Sequence, residues 1–160
     1  MNGLFEKKII HINNMKIRKM QISDYKSVYD LWMPCKGMGL NDVDDSENGI
    51  NRFLKRNPDT CFVAEVDDKI VGAILTGNDG RHGYIYHTSV HPSYQKQGIG
   101  SALVKNSLEE LKKAGISKVA LVVFKNNLAG NTFWEKQGFT VRSDLTYRNK
   151  SLVEMVRIDT

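Results

Sequence analysis

The segment Gln95-Lys96-Gln97-Gly98-Ile99-Gly100 sets two glycines and a lysine directly ahead of Ser101-Ala102-Leu103, which reads as the opening turn of a helix. The N–H groups of a first helical turn have no partners within the helix, and the dipole adds partial positive charge there. Gly98 and Gly100 let an anion approach without Cβ obstruction, and Lys96 brings a mobile cation, so the segment has the makings of a phosphate site. No Gly-Lys-Ser/Thr follows, which excludes a Walker A loop, and only two of the three glycines of the dinucleotide fingerprint are present. Taken alone, the segment describes an ordinary turn and cap equally well.

Upstream of the loop, His87 is the side chain best suited to move a proton near neutral pH. A packed histidine is the competing role, and strict alternation sets it on the face opposite Tyr84 and Tyr86, which read as core residues. Asp42, Asp44, Asp45 and Glu47 place four carboxylates in a short loop, where they would attract an ammonium group or simply be solvated. Their spacing lacks the central glycine and twelfth-position glutamate of a calcium loop. His11, His82, His87 and His91 show no metal-ligand spacing, and no catalytic metal is expected. Cys35 and Cys61 form no CxxC pair and have no matched His or Asp, so both are expected as free thiols without a nucleophile's role.

The elements that must position these residues follow from periodicity. Residues 1–14 form a short extension with an edge strand at Lys8–Ile12, and the domain runs over 15–160. Lys16–Met20 alternates like a strand, and Ser23 is the expected N-cap of a helix with Val28, Leu31 and Trp32 on one face. After Pro34 comes a loop rich in Gly and Asp, and Ser46 caps a second helix to about Asn57. Runs 61–66 and 70–75 make a hairpin across Asp67-Asp68, and a third strand, Tyr84 to Val90, follows the turn Asn78-Asp79-Gly80. A helix over about Ile99–Ala114, with Leu103, Val104, Leu108 and Leu111 inward, crosses to a strand at Lys118–Phe124. A last helix at about Leu128–Gln137 stops at Gly138, and strands around Phe139–Tyr147 and Ser151–Ile158 end the chain. Several strands with a single crossover indicate α+β, not a doubly wound sheet.

Composition narrows the function classes. The chain has 160 residues, 41% of them hydrophobic and 26% charged, which suits one globular domain. The net charge is +5, but its lysines and arginines are scattered without a basic block or aromatic interleaving, so no nucleic-acid partner is expected. Positive charge also suits a polyanionic ligand. No apolar run approaches the roughly 20 residues that cross a bilayer, and the first ten residues do not read as a secretory signal. No membrane partner is expected, and a cytoplasmic location is; a homodimer is left open.

Three linked blocks give the sequence a family likeness. Gln95, Gly98 and Gly100 match the Gln/Arg-x-x-Gly-x-Gly/Ala loop of the GNAT superfamily of N-acetyltransferases; Val90-His91-Pro92-Ser93-Tyr94 matches its lead-in. The segment 127–139, with Asn127, Phe133, Gly138 and Phe139, follows the spacing of its N-x-x-A-x-x-F-Y-x-x-x-G-F block. The chain therefore resembles that superfamily over about residues 15–158, in its small single-domain bacterial form. The resemblance implies a mixed, mostly antiparallel sheet of about six to seven strands, splayed between its fourth and fifth, with about four helices. It implies acetyl-CoA as acyl donor, with Thr88, Ser89 and Val90 beside the pantetheine arm. The pyrophosphate would meet Gln95, Lys96, Gln97, Gly98, Ile99, Gly100 and Ser101, and Asn127 and Trp134 would adjoin the cofactor arm. Asn127 is equally an N-cap for the last helix.

Two departures stand out. Trp134 occupies the place of a tyrosine that protonates the leaving thiolate in many members, and indole N–H has no useful acidity. Val122 stands where some relatives carry a glutamate base. The implied reaction is acetyl transfer to an amine by direct attack in a ternary complex, with His87 or a water taking the proton. The alternative is a CoA-binding sensor or interaction protein that has lost turnover. The acceptor stays open among small polyamines, amino acids, drugs and protein amines.

Overall fold

The computed structural model describes residues 14–158, so the extension and the edge strand expected at Lys8–Ile12 lie outside the described residues. Strands β1 (Met15–Lys19), β2 (Phe62–Val66), β3 (Lys69–Asn78) and β4 (His82–Val90) pair antiparallel in that order, and β5 (Lys118–Ala120) joins β4 in parallel. Asp67 and Asp68 turn from β2 to β3 with φ of 49° and 60°, the left-handed pair that a two-residue hairpin demands. The expected α+β architecture is therefore present, with one crossover.

Helices α1 (Tyr25–Trp32) and α2 (Glu47–Arg56) cover one face of the sheet, where Val28, Leu31, Trp32, Ile50 and Leu54 pack with Val63, Ala73 and Leu75. Helix α3 (Ile99–Lys113) covers the other, with Ile99, Leu103 and Val104 against Phe62, Ala64, Ile74 and Ile85; Phe133 and Trp134 of α4 (Leu128–Lys136) pack at its margin. A Cβ on Gly72 would lie 3.0 Å from both Ile99 and Leu103, so glycine there allows α3 to close on the sheet. Ser46 caps α2 as expected, accepting from Gly49 N. Ser23 does not cap α1; it lies in a 3-10 turn (Ile22–Asp24), where the Asp24 carboxylate accepts from Gln21 N at 2.8 Å.

Among the described residues the sheet has five strands rather than six to seven. Residues 139–147 and 151–158 alternate like strands but run over the surface, with Val141 and Leu152 about nine-tenths exposed. Their end bonds to the loop after α1: Ile158 N donates to Leu40 O, Asp42 N to Val156 O, and Asn41 bridges Arg157. Alternation says which face a strand would bury, not which edge accepts its backbone. Strand β5 likewise stops at Ala120 instead of Phe124, leaving Val122 and Phe124 exposed.

Two irregularities shape the sheet's centre. Strand β4 pairs with β5 only at His82, Gly83 and Tyr84, so beyond Tyr84 its outer edge faces no strand among the described residues. Ile74 pairs with Thr88 and Thr76 with Ile85, so Tyr86 and His87 together oppose Leu75: β4 carries a bulge.

Candidate active site at the split in the sheet

The split between β4 and β5 leads to the loop before α3. Lys96 and Gly98 both hold left-handed backbone, with φ of 61° and 82°, and a Cβ on Gly98 would meet nothing within 4 Å. No side chain caps α3. Its first-turn N–H groups are therefore available to an anion, and the loop is open where one would sit. Gln97 and Gly98 are exposed, while Ile99 is buried in the core and offers only its backbone. Gly100 also has a packing role, beside the one its place in the motif suggests. Its Cβ would lie 3.1 and 3.2 Å from ring carbons of Phe133, so this glycine serves the contact between α3 and α4. Gln95 turns back to donate from Nε2 to Val90 O at 3.1 Å, and Ser101 Oγ accepts from Gln137 Nε2 at 2.9 Å.

On β4, the hydroxyls of Thr88 and Ser89 are buried without a hydrogen-bond partner, Thr88 across from Ile74 and Ser89 across from Ala73. Unpaired backbone at the outer edge of β4 adds donors and acceptors in a row. These features fit an extended ligand ending in phosphates, such as the pantetheine and pyrophosphate of CoA. Asn127 caps α4, its Oδ1 accepting from Gly130 N at 2.9 Å, while its Nδ2 lies beside Gly37. Trp134 stands edge-on to Phe133 and Phe139, with centroids 5.0 and 5.2 Å away.

The bulge decides what His87 can do. Alternation alone would have turned it from Tyr86, but both rings lie on the α1/α2 face: His87 meets Trp32 edge-on at 5.1 Å, and Tyr86 meets Phe53 at 5.4 Å. Tyr86 is 55% exposed and therefore not core. His87 Nε2 lies 2.6 Å from Asp45 Oδ1, with the two side chains 14% and 4% exposed. Asp45 Oδ2 accepts from Asn41 N at 2.8 Å, and Tyr25 donates its hydroxyl to Asp45 O. A carboxylate only accepts, so it keeps a neutral His87 protonated on Nε2 and leaves Nδ1 as the basic nitrogen. No short-range sequence signal links positions 42 residues apart; Asp45 stood out only as one of four acids. Of the others, Asp42 Oδ1 accepts from Val156 N, and Glu47 lies in the first turn of α2.

Both cysteines are free. Burial pushes the Cys61 thiol up to about 12, and burial also raises Cys35. Neither has the lowered pKa of a nucleophile. The described residues hold no helix long and apolar enough to cross a membrane.

Comparison with known proteins now bears on this geometry. The family model described as acetyltransferase (GNAT) family matches residues 25–139. The chain belongs to that family. An acetyltransferase of Sodalis glossinidius is 34% identical over 140 residues, which is 88% of this chain and 97% of that protein. One from Pectobacterium atrosepticum has the same identity and coverage. Among solved structures, the PaiA N-acetyltransferase of Thermoplasma acidophilum, in complex with coenzyme A, aligns with a TM-score of 0.73 at 20% identity. That alignment covers 81% of this chain and 91% of the other. Ard1 from Thermoplasma volcanium aligns with a TM-score of 0.72 at 22% identity, covering 81% and 84%. These two establish likeness of fold. The GNAT acetyltransferase has its matched segment spanning every element from α1 to α4.

Proposed function

We propose that the protein transfers an acetyl group from acetyl-CoA to an amine acceptor by direct attack in a ternary complex in the cytoplasm. The observation that carries the reading is the split between β4 and β5, which runs to the uncapped N-terminus of α3. In this reading Thr88, Ser89 and Val90 flank the pantetheine arm. Amides over 96–101 hold the pyrophosphate, with Lys96 adding charge. Gln95 supports the loop through Val90 O. Asn127 and Trp134 border the arm from α4. Bound acetyl-CoA supplies a thioester carbonyl open to a neutral amine. The amine nitrogen bonds that carbon as the C–S bond breaks, and the electron pair leaves with sulfur. His87 takes the amine proton at Nδ1, with Nε2 held by Asp45. Unpaired N–H groups on the β4 edge can donate to the carbonyl oxygen. With Trp134 in the tyrosine's place, the thiol departs as thiolate and takes its proton from solvent.

The locked indole of Trp134 and the exposed Val122 favour a second reading, a CoA-binding protein without turnover. Release of CoA thiol, followed with DTNB over a panel of amines, decides between them. Acceptor-dependent release supports the enzyme. Tight CoA binding with no release under any amine supports the second reading.

A further inference from the structure

Residues 33–46 join α1 to α2 with no helix or strand of their own beyond one isolated bridge, yet they carry Asp45, whose side chain is 4% exposed and meets His87 at 2.6 Å. The turn from Asn41 to Asp45 fixes its own shape. Asn41 N donates to Asp45 Oδ2, Asp45 N donates to Asn41 O at 3.3 Å, and Asn41 Oδ1 accepts from Val43 N and Asp44 N. Such bonds set the shape of a turn but not its place over β4. The place matters, because a buried carboxylate that loses its partner is left as an unpaired charge out of water.

Residues 156–158 supply the hold. Val156 N donates to Asp42 Oδ1 at 2.7 Å, Asp42 N to Val156 O at 3.0 Å and Ile158 N to Leu40 O at 2.9 Å, with Asn41 and Arg157 paired between them. Arg157 also lies over the Phe124 ring at 5.3 Å, and a Cβ on Gly39 would lie 3.6 Å from the same ring. Phe124 follows β5, so these contacts tie the loop to the β5 side of the split while Asp45 ties it to β4. Leu40 in the core and the Tyr25 hydroxyl on Asp45 O anchor the flanks of the turn. Val156 and Ile158 are 60% and 38% exposed, so they add little to either core; what they give the protein is their grip on the loop.

We infer that residues 156–158 are a strap that positions the proton acceptor, and that Asp42 is the positioning residue through which the strap holds Asp45 against His87. Asp42 touches no reacting atom and acts through the turn from Asn41 to Asp45. The effect on rate rests on the acetyl-transfer reading above, whereas the effect on the bond between His87 and Asp45 is read without turnover. Catalysis therefore depends on residues 156–158, which are remote in sequence from both β4 and the loop over 95–101.

The test compares wild type with Asp42→Ala, Asp42→Asn and a chain cut after Met155. Asp42 is exposed, so both substitutions leave the fold intact and the test does not depend on the cut chain folding. A proton on His87 Nε2, bonded at 2.6 Å to a buried carboxylate, gives a proton resonance far downfield that exchanges slowly with solvent, and its absence from His87→Gln assigns it. That signal should weaken or vanish in Asp42→Ala and in the cut chain. It should persist in Asp42→Asn, whose amide oxygen still accepts from Val156 N. In parallel, kcat/KM should fall roughly tenfold in the first two and recover in Asp42→Asn, with CoA affinity held within a few fold. A wild-type signal kept by both Asp42→Ala and the cut chain overturns the inference, as does an Asp42→Asn protein no better than Asp42→Ala, or a wild type without the signal. Loss of the signal with rescue by asparagine upholds it even where wild type acetylates no amine, in which case the catalytic reading fails separately.

Discussion

Consider Asp45→Asn, which exchanges one oxygen of a buried carboxylate for an amide nitrogen. Asp45 uses both oxygens: Oδ1 faces His87 Nε2 at 2.6 Å and Oδ2 accepts from Asn41 N at 2.8 Å. An asparagine has one acceptor for these two places. If it keeps the bond from Asn41, its NH2 points at His87 and holds the ring as the Nδ1–H tautomer, removing the lone pair that takes the proton. If it keeps the bond from His87, its NH2 meets the Asn41 N–H and one buried donor goes unpaired. Either arrangement costs about 1–3 kcal/mol. For a chain of this size that lowers Tm by roughly 2–12 °C. The kinetic effect discriminates better: loss of a general base lowers kcat/KM about 10²-fold or more, and the His87-dependent limb of the pH–rate profile should vanish. CoA affinity should hold within a few fold, because the pair lies on the α1/α2 face and neither residue belongs to the loop over 95–101. His87→Gln should give the same kinetic loss, and the double variant little further loss, since one function is removed either way. Thermal melting and steady-state rates across pH, measured on all three variants, carry the test. A folded Asp45→Asn protein with wild-type kcat/KM and an unchanged profile refutes the reasoning and returns the pair to a structural role.

The two loop glycines should respond differently. Gly98→Glu sets a negative charge at the open loop and should weaken CoA more than tenfold by calorimetry, whereas Gly100→Ala meets Phe133 and should lower Tm with a smaller effect on CoA. Trp134→Tyr should keep CoA binding within a few fold and should hold or raise turnover. It gives up part of two edge contacts worth about 0.5–1.5 kcal/mol each, so collapse on melting would mean that the indole is chiefly packing. Burial would raise the Asp24 pKa, but hydrogen bonds from Arg18 and Gln21 N outweigh it and the net shift is downward. Its stabilising effect is therefore present above about pH 4 and lost as pH falls through the lowered value. The Tm gap between wild type and Asp24→Asn should be level from pH 5 to 8 and narrow below pH 4; a gap undiminished at pH 2 would contradict this.

What could be read from the sequence was what local spacing encodes. The loop 95–100 and the helix behind it follow from glycine placement, and Ser46, Gly115 and Gly138 mark helix ends by their own chemistry. The terminal strands misled because their alternation is real, but the bonds of residues 156–158 go to the loop at 40–42. Gly100 was legible only in part. Its place in the motif suggests phosphate, and its missing side chain also makes room for Phe133, a neighbour that no local reading supplies. The Asp45–His87 pair depends on the α1–α2 loop folding over β4, which has no local signature.

The bulge in β4 ties these pieces together. A bulge bends its strand and adds right-handed twist. Pairing between β4 and β5 ends at Tyr84, and the bulge begins two residues later at Tyr86. The extra residue thus comes just beyond the last β4–β5 pair and bends β4 where a continuing β5 would have to follow it. The same residue puts Tyr86 and His87 side by side on the α1/α2 face, while Thr88 faces the opposite way across from Ile74. One insertion therefore sets the neighbours His87 and Thr88 on opposite faces of the sheet. A regular β4 would place His87 with Ile85 in the core under α3, where Asp45 could not reach it. The position of His87 is in this sense a property of strand register, which explains why side-chain identity alone left its direction undecided.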